Sequence, residues 1–436
     1  MSGDFAEALA AIIRAQPALD WMTPLRTAAM QRFDRAGFPS PRLEDWRHTN
    51  LKEYASRSRQ LALPSATGTA ADGAALSALA RRLLPTGMGF VAVFHAGRLL
   101  DGLSQLVPPA GASCSRPGDA ERPSAWADSL AADAGEDAPA LAALNAALLG
   151  DGIAIEVAAG AVISQPLYVV HASADGCSAQ NRVVLRLGAG SRCTLIEHHL
   201  GEGAGIANSV TDISCGRDAH LGYIRLQEEP EETLHLSLQR LRLAGGAEAG
   251  LLAIDLGGGL VRNTLQLSLD GAGAGTDIRG LFFVDGKRHV DNLTRVDHRA
   301  LSTRCYERYR GIVEDAGHGV FNGKIIVHEG ADRTAAELRN ENLLLSPRAE
   351  VDTKPELEIY TDDVKCAHGA TTGQLDETAV FYLRSRGIGE DEARRMLMAA
   401  FAHEIIAQIP VAEVKEHVIA LLDQRLPDLA QVGTGQ

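Results

Sequence analysis

Basic charge is what this chain has too little of. Its 42 lysines and arginines face 56 aspartates and glutamates, a net −14 at pH 7. A protein that grips nucleic acid regardless of sequence needs the opposite excess to neutralise phosphates, so nucleic acid is not an expected partner. Long apolar runs are missing as well: none approaches the roughly 18–20 residues that span a bilayer. The N-terminal stretch from Met1 to Gln16 is acidic early and lacks a basic segment leading into a long apolar run. Neither secretion nor a membrane is therefore expected, and the chain reads as cytoplasmic. Aromatics make up only 5% of the residues, which suits a core of small and branched side chains. The six cysteines, at 114, 177, 193, 215, 305 and 366, form no CxxC pair and no zinc-ribbon cluster. Scattered thiols in a long chain fit a reducing compartment.

Glycine, by contrast, is plentiful at 44 of 436 residues. The length allows two to four domains, or one long repeat with appendages. Three textures succeed one another. Residues 1–150 read as mostly helical with a linker. Phe5, Leu9, Ile12 and Ile13 form a first helical stripe, and Leu25, Ala28, Ala29 and Phe33 a second over 24–36, stopped by Gly37-Phe38-Pro39. A connector rich in Ala, Pro, Ser, Thr and Gly fills 61–73. A strand is expected within 89–97, a loop over 107–136 and a short helix over 138–149.

Residues 151–375 turn to strand-like runs, at 153–157, 167–170, 182–187, 193–198, 221–227, 234–243, 251–256, 263–269, 277–284, 306–313, 323–327 and 357–360. The alternation of Leu234-His-Leu-Ser-Leu-Gln-Arg-Leu-Arg-Leu243 is the clearest. A period is also visible. Gly190, Gly216 and Gly246 each open a turn glycine, a few small or charged residues and an apolar strand, and they lie 26 and 30 residues apart. Such a strand-rich repeat predicts a β-solenoid. The rival, a β-sandwich, needs only about seven to nine strands, fewer than this region offers. Residues 376–436 read as a helical domain, with helices over 377–386, 390–409 and 411–426. The second carries Ala393, Leu397, Phe401 and Ile405 at i+4 spacing, with Met396 and Ala400 beside them.

The densest chemistry lies in Asp362-Asp-Val-Lys-Cys-Ala-His-Gly-Ala-Thr-Thr-Gly373. If it is extended, Cys366 and His368 point to one face, because side chains alternate with period two. A thiolate and an imidazole there make half a site for a soft or borderline metal, the remaining ligands coming most simply from a second chain. The plainer alternative is a packed cysteine and a histidine bonded to a nearby turn. His198 and His199 would face opposite ways on a strand and cannot chelate together. His289, Asp291 and Asp297 share a face and His298 does not, which fits a hydrated solenoid edge better than a metal site. The glycines at 317–323 before Lys324 are only roughly spaced for a phosphate loop, and Ile325 stands where Ser or Thr would hold Mg²⁺. No GxSxG or HExxH occurs. The adjacent acids Asp362–Asp363 and Glu228–Glu229 read as solvated pairs.

The segment from Asn342 through Leu-Leu-Leu-Ser-Pro-Arg-Ala-Glu-Val-Asp-Thr-Lys-Pro-Glu-Leu-Glu-Ile to Tyr360, running into Asp362-Asp-Val-Lys-Cys-Ala-His-Gly-Ala-Thr371, resembles the SufB/SufD family of the SUF iron–sulfur cluster assembly system. Gly373-Gln-Leu-Asp376, Phe381-Tyr-Leu-Arg-Ser-Arg-Gly-Ile388, Val320-Phe-Asn-Gly-Lys-Ile325 and Pro41-Arg-Leu-Glu-Asp-Trp-Arg-His-Thr49 are similar too. The likeness is to the SufD branch. Residues 339–345 lack the cysteine that SufB carries there, and Lys365-Cys-Ala-His368 replaces its glutamate-rich stretch. Ala367 departs from the family's frequent Ser, and Glu337 from its frequent Gln.

The resemblance implies a mainly β fold, a right-handed parallel β-helix flanked by helical regions, and a non-catalytic scaffold. The implied partners are a SufC-like ABC ATPase docking on the tail helices and a SufB-like paralogue pairing through the β-helices, with a homodimer as the variant. It implies that iron or an iron–sulfur cluster sits transiently at the subunit interface, held by His368 and less securely by Cys366, with no cofactor bound tightly by this chain alone. On the tail, Phe381, Tyr382, Arg384, Arg386, Leu397 and Phe401 become candidates for ATPase docking. A β-helix enzyme acting on polysaccharide, using Asp285, His289 and Asp291, is the reading from another class. Few aromatics for sugar stacking and no placeable carboxylate pair stand against it.

Overall fold

Residues that tolerate a left-handed backbone set the corners of this fold. The computed structural model describes residues 19–58, 73–84, 89–119 and 124–425. The Phe5–Ile13 stripe and nearly all of the connector lie outside the described residues. At one corner of seven successive turns stands a residue with φ between 57° and 75°: Gly160, Gly190, Asp218, Gly246, Gly273, Ser302 and then Arg333. Each donates its N–H to a carbonyl of the following turn, as Gly190 does to Arg217 (2.8 Å) and Gly246 to Ala272 (3.0 Å). The glycine period is therefore physical at Gly190 and Gly246, but its middle member is Asp218 rather than Gly216. Asp enters the left-handed region more readily than most residues. Gly216 lies two residues earlier, where a Cβ would stand 2.9 Å from the Leu187 carbonyl oxygen.

Between corners, successive strands alternate between two sheets, one of ten strands and one of nine. Parallel partners in the nine-stranded sheet are 26 to 32 residues apart, as in Leu234↔Leu260 and His318↔Glu350. Each turn thus gives one strand to each sheet, the architecture of a parallel β-solenoid, and the sandwich alternative is excluded. Strand Phe90–His95 joins the ten-stranded sheet in parallel beside Leu167–Ser173.

The core fills the space between the sheets with stacked columns of like side chains. Leu195, Tyr223, Leu251 and Ile278 form one column, facing Leu185, Ile213, Leu241 and Leu267 across the interior. Polar groups in the interior form ladders: Asn181 donates to Ser209 (3.1 Å), Ser237 to Asn263 (2.7 Å) and Asn263 to Asn292 (3.0 Å). Arg225, 2% exposed, is paired with Asp255 at 2.7 Å and also donates to Asn263, so its charge is compensated inside the core. Two aromatics lock adjacent turns through missing side chains. A Cβ on Gly280 would meet the Tyr309 ring at 2.1 Å, and one on Gly311 the Phe282 ring at 2.2 Å.

Helices cover the outer faces. Helix Thr23–Ala36 packs on Ala140–Leu148, with the Arg26 guanidinium on the Leu149 carbonyl (2.7 Å), and this layer lies on the nine-stranded sheet. Helix Ser124–Ala134 occupies part of the expected loop. Its Pro- and Gly-rich flanks hide it in the sequence, but Trp126 and Leu130 are buried and Ser129 and Asp133 face the sheet. Arg182, buried, donates to Asn145 (3.0 Å), Ser129 (2.9 Å) and Asp133, riveting both helices to the sheet. Burial works to raise the Asp133 carboxyl, but Arg182 and Arg240 together hold it below the usual range.

The tail helices Glu390–Ile406 and Ala412–Asp423 cover the ten-stranded sheet with Ala399, Ala402, Ile405, Ile406, Val414, Val418 and Leu422. Of the expected stripe, Ala393 and Ile405 are buried, while Leu397 and Phe401 are half-buried, because the helix presents its 399–402–406 face to the twisted sheet.

Strands Ile206–Cys215, His289–His298 and Thr334–Leu344 are absent from the sequence-based strand runs. Each carries polar residues on both faces, so alternation fails, and the polar ladders hold them in place.

Substituting Gly311→Ala forces the Phe282 ring off its neighbour and is expected to cost about 1–3 kcal/mol, read as a lower urea midpoint of the purified chain. A second prediction concerns Glu307, 2% exposed between the sheets. Burial pushes its carboxyl from 4.5 up to about 7, against the pull of the Thr294 hydroxyl. The folded chain therefore holds a proton that the unfolded chain loses between these values, and stability falls as pH rises through that window. Glu307→Gln is expected to gain up to about 3 kcal/mol at pH 8 and nothing at pH 4, measured by urea unfolding at both.

Candidate functional site

The last rung of the solenoid continues columns that are core everywhere else. Among the described residues, strand Val364–Gly373 is the outer edge of the ten-stranded sheet and pairs on one side only, with Thr334–Leu344. Cys366 stands on Ala336 and, one rung further in, Cys305. His368 stands on Leu338 and then Glu307. Both side chains thus face the inside of the solenoid at the point where the inside ends. Cys366 is half-buried against the core, and His368 is exposed. The shared face expected from period two is present. Burial pushes the Cys366 thiol up, opposed by a hydrogen bond with the Ala336 backbone, so the isolated chain keeps it protonated at neutral pH. Among the described residues, no third His, Cys, Asp or Glu side chain joins the two within ligating distance.

The two open edges differ in chemistry. Strand Glu350–Ile359, the edge of the nine-stranded sheet, alternates charges at Glu350, Asp352, Lys354, Glu356 and Glu358 and carries Pro355. Charge and proline are the usual devices that block edge pairing. The neighbouring edge has one formal charge, Lys365, and from Cys366 to Gly373 only small or neutral groups. Its unpaired N–H and C=O groups are available to another strand.

The tail residues fall into two groups. On helix Glu377–Ser385, Phe381 is 70% and Tyr382 56% exposed, a large apolar area facing water. Arg386 lies over the Tyr382 ring at 5.0 Å, and Arg384 pairs with Glu390 at 3.0 Å. Phe401 instead packs under the Arg310 guanidinium (4.5 Å), with its carbonyl accepting from the same Arg310 (2.8 Å). Leu397 is half-buried on the same helix.

Other sequence candidates resolve differently. His198 and His199 do face opposite ways. His199 lies inside the solenoid by His171 and Glu197, whereas His198 faces outward to Glu228 and His417. The stretch from His289 to His298 is not a hydrated edge. Asp291 is buried on Arg262 and Thr49, His298 is fully buried, and His289 touches His318 at 3.2 Å. The N-terminal segment around Thr49 covers this surface, which no local pattern reveals. Glu228 and Glu229 are not solvated either. Glu228 bonds His198 and His417, and Glu229 meets His235 at 2.7 Å. Asp362 and Asp363 are exposed, as expected. Residues His318–Val327 form a strand, so the glycines there make no phosphate loop. No helix among the described residues is long and apolar enough to cross a membrane.

Comparison with known proteins identifies a family. Residues 169–401 fit the domain described as SUF system FeS cluster assembly, SufBD core domain. The chain is 31% identical to the iron–sulfur cluster assembly protein SufD of Escherichia coli strain K12 over 412 residues, 93% of each chain. It is 35% identical to an iron–sulfur cluster assembly SufBD family protein of Synechocystis, over 48% of this chain and 46% of that one. The Bacillus subtilis SufD is 24% identical over 66% of this chain and 67% of its own. With a core domain that runs from the solenoid into the tail helices and a likeness to a SufD running nearly end to end, the chain belongs to the SufBD family of SUF-system iron–sulfur cluster assembly proteins.

Proposed function

We propose that this chain is a non-catalytic scaffold, working with an ABC-type ATPase and a paralogous solenoid subunit, and that an iron–sulfur cluster forms where the two solenoids meet. The observation that carries the reading is the open rung. Cys366 and His368 continue core columns into an edge that no other strand among the described residues covers. A partner strand added there would close the column over both side chains and bring in the thiolates that a cluster needs. Iron and sulfide enter as substrate at this join. Burial of the seam would also remove water from the ligands.

The tail supplies the coupling. Phe381 and Tyr382 give an ATPase an exposed apolar grip, and the Phe401–Arg310 contact together with Glu404 on Arg308 ties the following helix to the ten-stranded sheet. Motion imposed on the tail is thereby delivered to the strands that end at His368. The chain works in the cytosol, where thiols stay reduced.

An anaerobic affinity capture of the tagged chain from its native cytosol is expected to bring down an ABC-type ATPase and a second solenoid subunit. Ala370→Lys, which puts a charge on the undefended edge, should remove the solenoid partner and keep the ATPase, and Phe381→Ala with Tyr382→Ala should do the reverse. A variant His368→Ala is expected to assemble the complex normally but lower cluster formation in cells at least about tenfold. Full-rate assembly by that variant would remove His368 from the site.

A further inference from the structure

We propose that His198, Glu228 and His417 form a binding site for a divalent transition-metal ion of the zinc or ferrous class, at the seam between the solenoid and the last tail helix. The site is separate from the open rung and does not rest on the proposed assembly function.

Three distant pieces of chain converge here: strand Arg192–Gly201, the turn after His220–Gln227, and helix Ala412–Asp423. The Glu228 carboxylate lies 2.9 Å from the His198 Nε2 and 3.2 Å from the His417 Nε2. One ligand atom from each residue falls within 4.8 Å of the other two. Two imidazoles and a carboxylate with open positions suit zinc or ferrous iron.

The support around the ligands is that of a metal site. The far nitrogen of His198, Nδ1, is 2.7 Å from the Tyr168 hydroxyl, and the Leu84 N–H donates to that same oxygen at 3.3 Å. Such an outer partner fixes ring orientation and tautomer in metal-binding histidines. Exposure is graded, from 0% for the His198 side chain through 8% for Glu228 to 26% for His417. The base of the site is dry, and the His417 side admits the ion and the water that completes its shell.

With metal bound, both Nε2 lone pairs and the Glu228 carboxylate face the ion, and the His198 Nδ1–H is donated to the Tyr168 oxygen. The ion takes the place of the protons that bridge each Nε2 and Glu228. Arg82 opposes binding, since its guanidinium, held by the Gly201 carbonyl (2.7 Å), is 3.7 Å from Glu228.

The interior group His171, Glu197 and His199 does not compete for this role. Glu197 already accepts from His171 (3.1 Å), Thr211 (2.8 Å) and Tyr223 (2.7 Å), which leaves its oxygens occupied in a closed core.

The test uses the full chain, stripped with a chelator, in a Cys366→Ser, His368→Ala background that silences the open rung. Zinc is titrated against a chromophoric chelator, and cobalt(II) is used as a spectroscopic probe. One equivalent of zinc is expected, with a cobalt visible band. His417→Gln and Glu228→Gln should each weaken zinc at least tenfold, and Arg82→Gln should tighten it several-fold. Zinc should raise the thermal midpoint of the parent and leave that of His417→Gln unmoved. His417→Gln decides the matter even if Glu228→Gln fails to fold, because the position is part-exposed and the amide still donates to Glu228. Zinc binding by His417→Gln equal to the parent's, or no binding by the parent, would overturn the site, as would an Arg82→Gln variant of unchanged affinity. Those results would leave a hydrogen-bonded clamp.

Discussion

Everything in this molecule depends on the register between one parallel rung and the next. A slip of one residue would turn every inward side chain outward. The fold prevents this by stacking like on like. Asparagines and serines form their own ladder, aliphatics their own columns, and the Tyr309 and Phe282 rings fit only over glycines in the neighbouring turn. The corner residues do the same in the backbone, each with its N–H on the following turn. Register also places the chemistry, since Cys366 and His368 face inward because Cys305 and Glu307 do, two rungs below.

The two faces and two edges of the solenoid are treated unequally. Helices Thr23–Ala36, Ser124–Ala134 and Ala140–Leu148 cover one sheet, and the tail helices, joined by Leu79 from before the repeat, cover the other. The charged edge with Pro355 is guarded against association, whereas the edge bearing His368 is not. A long edge with a single charge is a liability in a protein that works alone. It stands beside an edge that charge and proline protect.

Much of this was legible in the sequence where inside and outside differ in polarity. Leu234 to Leu243 alternates cleanly, and its strand has the expected bounds. The repeat was visible from Gly190 and Gly246, although aspartate substitutes for glycine at the corner between them. Strands whose inner face is also polar, such as His289–His298, gave no such signal, because their stability comes from neighbouring rungs. The facing of Cys366 and His368 followed from period two alone, but their place at the end of core columns did not. The meeting of His198 with Glu228 and His417 was beyond reach, since 189 residues separate the last two. Only the return of the tail along the sheet brings them together.

That return path has a geometric consequence. From the strand bearing His368 to the one bearing His198 is six steps along the ten-stranded sheet, or about 29 Å at roughly 4.8 Å per strand. The tail leaves at the first and touches down at the second, so it acts as a gauge of solenoid length. Such length changes only in whole rungs. Losing one turn between Glu228 and Val364 would shorten the solenoid by a strand spacing while the helices kept their span, and His417 would overshoot Glu228 by most of a helical turn. The number of rungs between Glu228 and Val364 is therefore matched from outside, by the span of the tail helices.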